Sequence, residues 1–363
     1  MTPNTPLTLN GYLIKLFAKW LGITTISISS IIFIFDLIET LRRSAGKGIS
    51  FSTSLHMVFL KLPSTFLDLT PFVILITTWI VFFRLMRAQE LIVMRMSGLS
   101  VWQVLSPILI FVFVLKILDL FLLNPLAAGL YANFERIESR KIYQRADQIT
   151  LSTNGLWVRQ ADHHGQFILH ARDIDNRILN EITIFEFDEK GRFTRRFDAK
   201  TGSFAIGKLE LKGVMSSRPN TREEHYDSYM FLSDLTYEQI QEKSAHPKTI
   251  SFWTLPEFIK FLDKLKLSTY KYRLHWHSLI ANIFLVLAMV ILAAGGIFFQ
   301  LGRQTVMRHL VITIGLGFSI FFISDVSYSL GRAATVPILL AAWAPVLISI
   351  LVGGTMILYA DEV

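Results

Sequence analysis

Apolar and polar positions alternate in two different rhythms along this chain. Toward both ends the apolar residues run on for twenty positions or more; in the middle they recur every second residue for short stretches. Runs near or beyond ~18–20 residues are long enough to cross a bilayer as helices. Six are predicted, over about 13–41, 57–83, 100–128, 277–300, 309–331 and 335–360. Residues 1–12 are polar and are expected to be loose. The middle rhythm predicts strands at GLWVRQ (155–160), GQFILHA (165–171), EITIFEF (181–187), FTRRFDA (193–199) and SFAIGKLEL (203–211). NG at 154–155, HHG at 163–165 and EKG at 189–191 are turn signals, the last as in a hairpin. A series of short strands at this spacing predicts an antiparallel sandwich or jelly-roll-like domain. After it, Thr254-Leu-Pro-Glu257 reads as the capped start of an amphipathic helix with Phe258, Ile259, Phe261, Leu262 and Leu265 on one face.

The expected fold is therefore a polytopic α-helical membrane protein of six transmembrane helices with an inserted all-β domain. The expected division is 1–134 for the first three spans, 135–273 for the β domain with its closing helix, and 274–363 for the last three. Six spans put both termini on one side. Pro63 and Pro71 fall in the second span, with Asp68 between them, and predict either a bent helix or an interfacial approach to it. The first apolar run is too long for a cleaved leader and lacks a small-residue cleavage site close behind it.

Between the second and third spans lies Arg84 to Gly98, RLMRAQELIVMRMSG. Leu85, Leu91 and Val93-Met94 recur at helical spacing with Arg84, Arg87, Glu90 and Arg95 between them, and Gly98 follows as a helix stop. Two readings fit: a solvated turn that reverses the chain, or one interfacial helix that passes force to something docked from outside.

Charge changes this picture in two places. The chain is 52% hydrophobic with a net charge of +8, which suits anionic head groups better than nucleic acid, because the basic residues are scattered around the spans. With the N-terminus inside, Arg84, Arg87, Arg95, Arg303 and Arg308 follow the positive-inside rule, whereas Arg42, Arg43, Lys47, Arg136, Arg140 and Lys141 oppose it. The opposing cluster either meets an anionic ligand at the outer leaflet or pairs with Asp36, Glu39, Glu135 and Glu138. Lys116 and Asp119 sit three residues apart within the third span and can neutralise each other; Asp325 lies in the fifth, with Lys116 or Arg332 as candidate mates.

Chemistry that would mark an enzyme is absent from the sequence. There is no phosphate loop, no HExxH and no GxSxG, so no catalytic residue is assigned. There is no cysteine, which removes disulfides and thiolate metal sites. His163-His164 in a turn, and His275 and His277 before the fourth span, lack the carboxylate support of a metal site.

The three-span, β-domain, three-span layout and the residues RAQELIVMRMSGLSVWQV (87–104) resemble the lipopolysaccharide-export permeases of the LptF/LptG family. Asp36 with Leu41-Arg42-Arg43, NGLWVR at 154–159 and YRLHWHS at 272–278 support the resemblance, which covers essentially the whole chain and is closer to the G-type than to the F-type. It implies that 84–98 is a coupling helix in a groove of a cytoplasmic ABC ATPase dimer, with Glu90 as the polar contact, Leu91 and Met94 as apolar contacts and Gly98 as the helix end. It implies a heterodimer with a second permease, with spans 1 and 5 gating a cavity for lipopolysaccharide. Arg42 and Arg43 would meet the lipid's phosphates, with Arg136 and Arg140 as companions. The β domain would be a periplasmic jelly-roll joined to a bridge and a single-span subunit of similar fold. The cofactor implied is ATP on the partner ATPase, with none in this chain. One departure stands out: Phe33 occupies a position where some relatives carry a lysine. Two other classes share parts of the pattern. A mechanotransmitting ABC permease needs the coupling helix but no anionic site, and a lipid-modifying membrane enzyme would use Asp119 or Asp325.

Overall fold

The computed structural model describes residues 7–142, 148–152, 155–162, 165–175, 178–188, 192–205, 207–219, 223–233, 235–236, 246–264, 267–298 and 306–362. The chain forms two compact units, residues 1–134 with 270–363, and residues 135–269.

Among the described residues of the first unit six helices are long and apolar enough to cross a membrane. Helix α1 is Leu7–Ser44 and α2 is Phe51–Arg87; the short α3, Glu90–Met96, precedes α4, Val101–Leu118. Helix α4 runs through a π-helical turn, Asp119–Leu123, into α5, Asn124–Ile137, and a second π turn, Glu138–Ile142. Helix α1 starts several residues earlier than its apolar run, so polar residues assigned to a loose tail are helical from Leu7. Pro63 and Pro71 both lie inside α2, which continues through them as one helix rather than beginning after them. The later spans, after the short α6 of the second unit, Leu255–Lys264, are α7, Tyr270–Phe298, α8, Val306–Arg332, and α9, Ile338–Glu362. Helix α7 packs against α2, α4, α8 and α9 and supplies much of the buried core.

The second unit is a seven-stranded antiparallel sheet in sequential order. Its strands are β1 Gln148–Ser152, β2 Gly155–Asp162, β3 Gly165–Asp175, β4 Ile178–Phe187, β5 Phe193–Ala205, β6 Lys208–Ser217 and β7 Glu224–Leu232. The run 203–211, expected as one strand, is a hairpin instead: β5 ends at Ala205 and Gly207 turns the chain with φ +69°. Only a residue without Cβ takes that conformation freely. Strands β1 and β7 and the second half of β6 escaped the sequence reading. The turns HHG and EKG and the histidines 163–164 lie outside the described residues, as do Asn154 and the side chains of Arg303 and Arg308.

The sheet rolls up. The Phe167 ring of β3 meets Phe231 of β7 edge-on at 5.0 Å between centroids, although in a flat sheet strands four places apart would lie roughly 19 Å from each other. Phe197 of β5 joins them at 5.8 Å, and Ser233 donates to Gln160 across the gap. This closes an all-β, jelly-roll-like roll around an apolar interior.

A crease crosses the roll. Pairing passes over Arg172 and Glu181 between β3 and β4, then Lys200 in β5, Gly213 in β6 and Asp227 in β7. On each of β3 to β6 the inward alternation slips by one there: Ala171 to Ile174, Leu179 to Ile182, Ala199 to Gly202, Leu211 to Val214. Two polar or small residues in succession leave the interior while the pairing register stays unchanged on either side, so the four strands bend together along one line. Glu181 and Gly213 take positive φ, +50° and +62°, to turn the corner. On the outside, Arg172, Asp173, Asn180 and Glu181 line an open cleft with Phe261 and Lys264 of α6, Leu255–Lys264. That helix buries Leu255, Phe258 and Leu262, with Ile259 and Phe261 half-buried beside them; Leu265 is outside the described residues.

Candidate docking and ligand-contact sites

The segment 84–98 is not one helix. Residues 84–87 finish α2, Gln89 takes a left-handed conformation with φ +60°, and α3 starts afresh at Glu90. A non-glycine residue in that conformation is a sharp corner that no continuous helix passes. At the far end Leu99 donates to the Met94 carbonyl at 3.3 Å and Gly98 to Arg95 at 3.0 Å, with Gly98 at φ +85°. This is a Schellman stop, and it makes Gly98 the residue that ends α3. One residue later a capping box starts α4. Ser100 accepts from the Gln103 amide while the Gln103 side chain accepts from the Ser100 amide.

Leu91 and Met94, expected as outward contacts, point the other way. They are 0% and 8% exposed and belong to the apolar cluster that includes Leu13, Phe17, Leu85 and Val101. The outward apolar surface is Val93 and Met96, 64% and 83% exposed, with Ile92 beside them. Helical spacing identified the right period and left the sense of the face open; the buried pair anchors α3, and its neighbours are what a partner would meet. Glu90, half-buried at the start of α3, accepts a hydrogen bond from Tyr12 of α1 at 2.8 Å.

At the other end of α1, Arg42 and Arg43 share one carboxylate. Both donate to Glu39 at 2.9 Å, with side chains 75% and 37% exposed. Two guanidinium groups thus share one carboxylate. Arg136 and Arg140, on α5 and the π turn after it, are exposed and lie in the second unit.

The profile of the family described as lipopolysaccharide export system permease LptF/LptG matches residues 11–359. The chain belongs to that family. It is a transporter membrane subunit with multiple spans, not a catalytic enzyme. No curated protein matches the chain.

In this permease the intramembrane charges separate into two kinds. Lys116, 6% exposed, donates to Asp119 at 3.2 Å, so the pair is self-neutralised on one face of the third span, at the point where the π turn begins. Asp68 of α2 lies within electrostatic reach of Lys116. Asp325 is exposed on α8 and, among the described residues, pairs with neither Lys116 nor Arg332. A carboxylate on an open face of a membrane helix is costly against lipid, which marks that face for water or protein. His275 is buried on α7 with the Tyr328 hydroxyl 3.4 Å from Nδ1.

Sequence reading missed Lys61. Its ammonium lies 2.6 Å from Asp36, both side chains largely buried, and ties α2 to α1. Asp36 keeps its second oxygen, Oδ2, buried without a hydrogen-bond partner. Next to this pair the Phe33 ring meets that of Phe59, tilted by 49° at 5.0 Å between centroids, so Phe33 is part of an apolar seam and Lys61 brings a lysine in from α2. The signal was present in the spacing. Asp36 lies eight residues before the end of α1 and Lys61 ten after the start of α2, nearly level in an antiparallel helical pair.

Proposed function

We propose that this permease draws lipopolysaccharide from the outer leaflet of the inner membrane and passes it into its β roll, driven by a separate ATPase. The ATPase dimer docks from the cytoplasm on α3; ATP acts there and nowhere in this chain. A second, F-type permease completes the cavity, this chain being the G-type partner. Arg42 and Arg43, with Arg136 and Arg140, meet the lipid's phosphates. The β unit lies in the periplasm and hands the lipid to a bridge and a single-span subunit of similar fold. Residues 1–134 and 274–363 act as the membrane part and 135–273 as the periplasmic part.

The observation that carries this reading is the construction of α3. A seven-residue helix has little stability of its own. Here it is cornered by Gln89, stopped by Gly98 and pinned inward by Leu91 and Met94, while Val93 and Met96 stay exposed. A merely reversing turn needs none of this; a rigid stud for a partner's groove needs all of it. On this reading the docking contacts are Glu90 with the exposed Val93 and Met96, in place of the buried Leu91 and Met94, and Gly98 ends the helix.

The test is co-expression with candidate ATPase and permease partners and purification in detergent, wild type against Glu90→Lys. The expected result is a stable complex from which the substitution removes the ATPase alone. If the chain purifies by itself and Glu90→Lys changes nothing, the docking assignment is wrong. Arg42→Glu with Arg43→Glu is expected to abolish crosslinking to lipopolysaccharide; unchanged crosslinking would favour a permease that transmits force without moving lipid.

A further inference from the structure

We propose that Tyr12 is the positioning residue through which the docking helix drives the first span, an inference that rests on the docking reading above. Glu90 opens α3, yet its side chain does not fold back onto its own helix. It crosses to α1, where Oε2 accepts from the Tyr12 hydroxyl at 2.8 Å, 78 residues away in sequence. A hydroxyl bonded to a carboxylate is a charge-assisted contact, stronger and more directional than a neutral one. The other oxygen, Oε1, accepts no hydrogen bond among the described residues and stays open to a donor from a docked partner. One carboxylate thus faces the ATPase with one oxygen and α1 with the other.

The surroundings keep this bond in register. Leu13 and Phe17, on the turns beside Tyr12, are fully buried in the same apolar cluster as Leu91 and Met94. The Arg84 guanidinium lies over the Trp20 ring at 5.7 Å, a cation–π contact between the end of α2 and α1. Farther along, the Asp36–Lys61 pair and the Phe33–Phe59 contact tie α1 to α2, while within this chain only 6% of its apolar window is buried, against 72% for α7. Tyr12 and Arg42 stand roughly 45 Å apart on one uninterrupted helix, so a shift imposed at Glu90 tilts the end that carries the candidate phosphate contacts. In this arrangement the stroke reaches α1 through one hydrogen bond, in parallel with the push on α2 through the Gln89 corner.

The measurement is lipopolysaccharide released per ATP hydrolysed, with the full chain, its partner permease and the ATPase in proteoliposomes loaded with the lipid. Tyr12→Phe removes one oxygen and no packing volume. The complex is expected to stay intact and ATP hydrolysis to stay within about twofold, while lipid released per ATP falls at least threefold or so, as loss of a hydrogen bond to a charged group would give. Tyr12→Lys, whose ammonium donates at a similar reach, is expected to recover part of the ratio, and Tyr12→Leu, which also lacks the donor, is expected to lower it as Tyr12→Phe does. An unchanged ratio in Tyr12→Phe overturns the inference. So does release of the ATPase by Tyr12→Phe, which would make the tyrosine a docking contact instead of a transmitter. Retention of the ATPase by Glu90→Lys is a separate failure, that of the docking reading itself.

Discussion

Helices α1 and α7 are both apolar enough to cross a membrane, and they are packed in opposite ways. Helix α7 buries 72% of its apolar window and α1 only 6%. The difference lies in the small residues. A Cβ added at Gly353 of α9 would sit 2.9 Å from the Leu292 backbone nitrogen of α7, and one at Gly295 of α7 would sit 3.1 Å from the Gly353 carbonyl. The two backbones touch, as small residues in membrane helices allow. Gly11 and Gly22 of α1 have open space around them. Apolarity places a helix in the bilayer; the size of its side chains decides which neighbours it keeps. Helices α7 and α9 form a fixed wall, and α1 is held chiefly by α2, α4 and its end contacts.

The comparison can be sharpened or broken by substitution, with stability read as the unfolding midpoint of the purified chain in detergent. The largest effect is expected on the packed side, at Lys116. Replacing it by alanine leaves the half-buried Asp119 carboxylate unpaired within the span, at a cost of about 4 kcal/mol. The double change Lys116→Met with Asp119→Leu should restore most of that stability; if it does not, the pair has a role beyond neutralising itself. Next, Gly353→Leu should cost about 3 kcal/mol by forcing α7 and α9 apart, while Gly22→Leu in α1 stays within about 0.5 kcal/mol of wild type. Equal damage from the two glycines would break the comparison. The smallest effect is expected at Asp36→Asn, at about 1 kcal/mol, because the amide oxygen still accepts a hydrogen bond from the Lys61 ammonium. No change there would mean that the Phe33–Phe59 seam alone holds α1 to α2.

Much of this was readable from the sequence. Long apolar runs gave the six spans, because backbone groups in a bilayer must be satisfied within the helix and the length is set by membrane thickness. The Lys116–Asp119 pair followed from helical spacing, and Gly98 from the need for a left-handed stop. What escaped were relations between segments. Periodicity shows that one face of α3 is apolar, but whether Leu91 and Met94 face the chain's own core or a partner depends on where α1 and α4 lie. The Asp36–Lys61 pair needs the turn between α1 and α2 to be fixed before the residues can be seen as level. The run 203–211 read as one strand because a single glycine at 207 is a weak mark beside eight strand-compatible neighbours.

The crease in the β roll was visible too, as a repeated phrase: ARDI at 171–174, LNEI at 179–182, AKTG at 199–202 and LKGV at 211–214. Each has two outward residues between inward ones, and the four stand side by side in the sheet. This imposes a rule of inheritance on the domain. Deleting one residue from a single phrase would send the rest of that strand's inward set to the outside, since side chains alternate faces with a period of two. Length can therefore change safely here by whole rows across the sheet and not by single strands, so insertions and deletions should collect in the turns while these four phrases drift only by substitution.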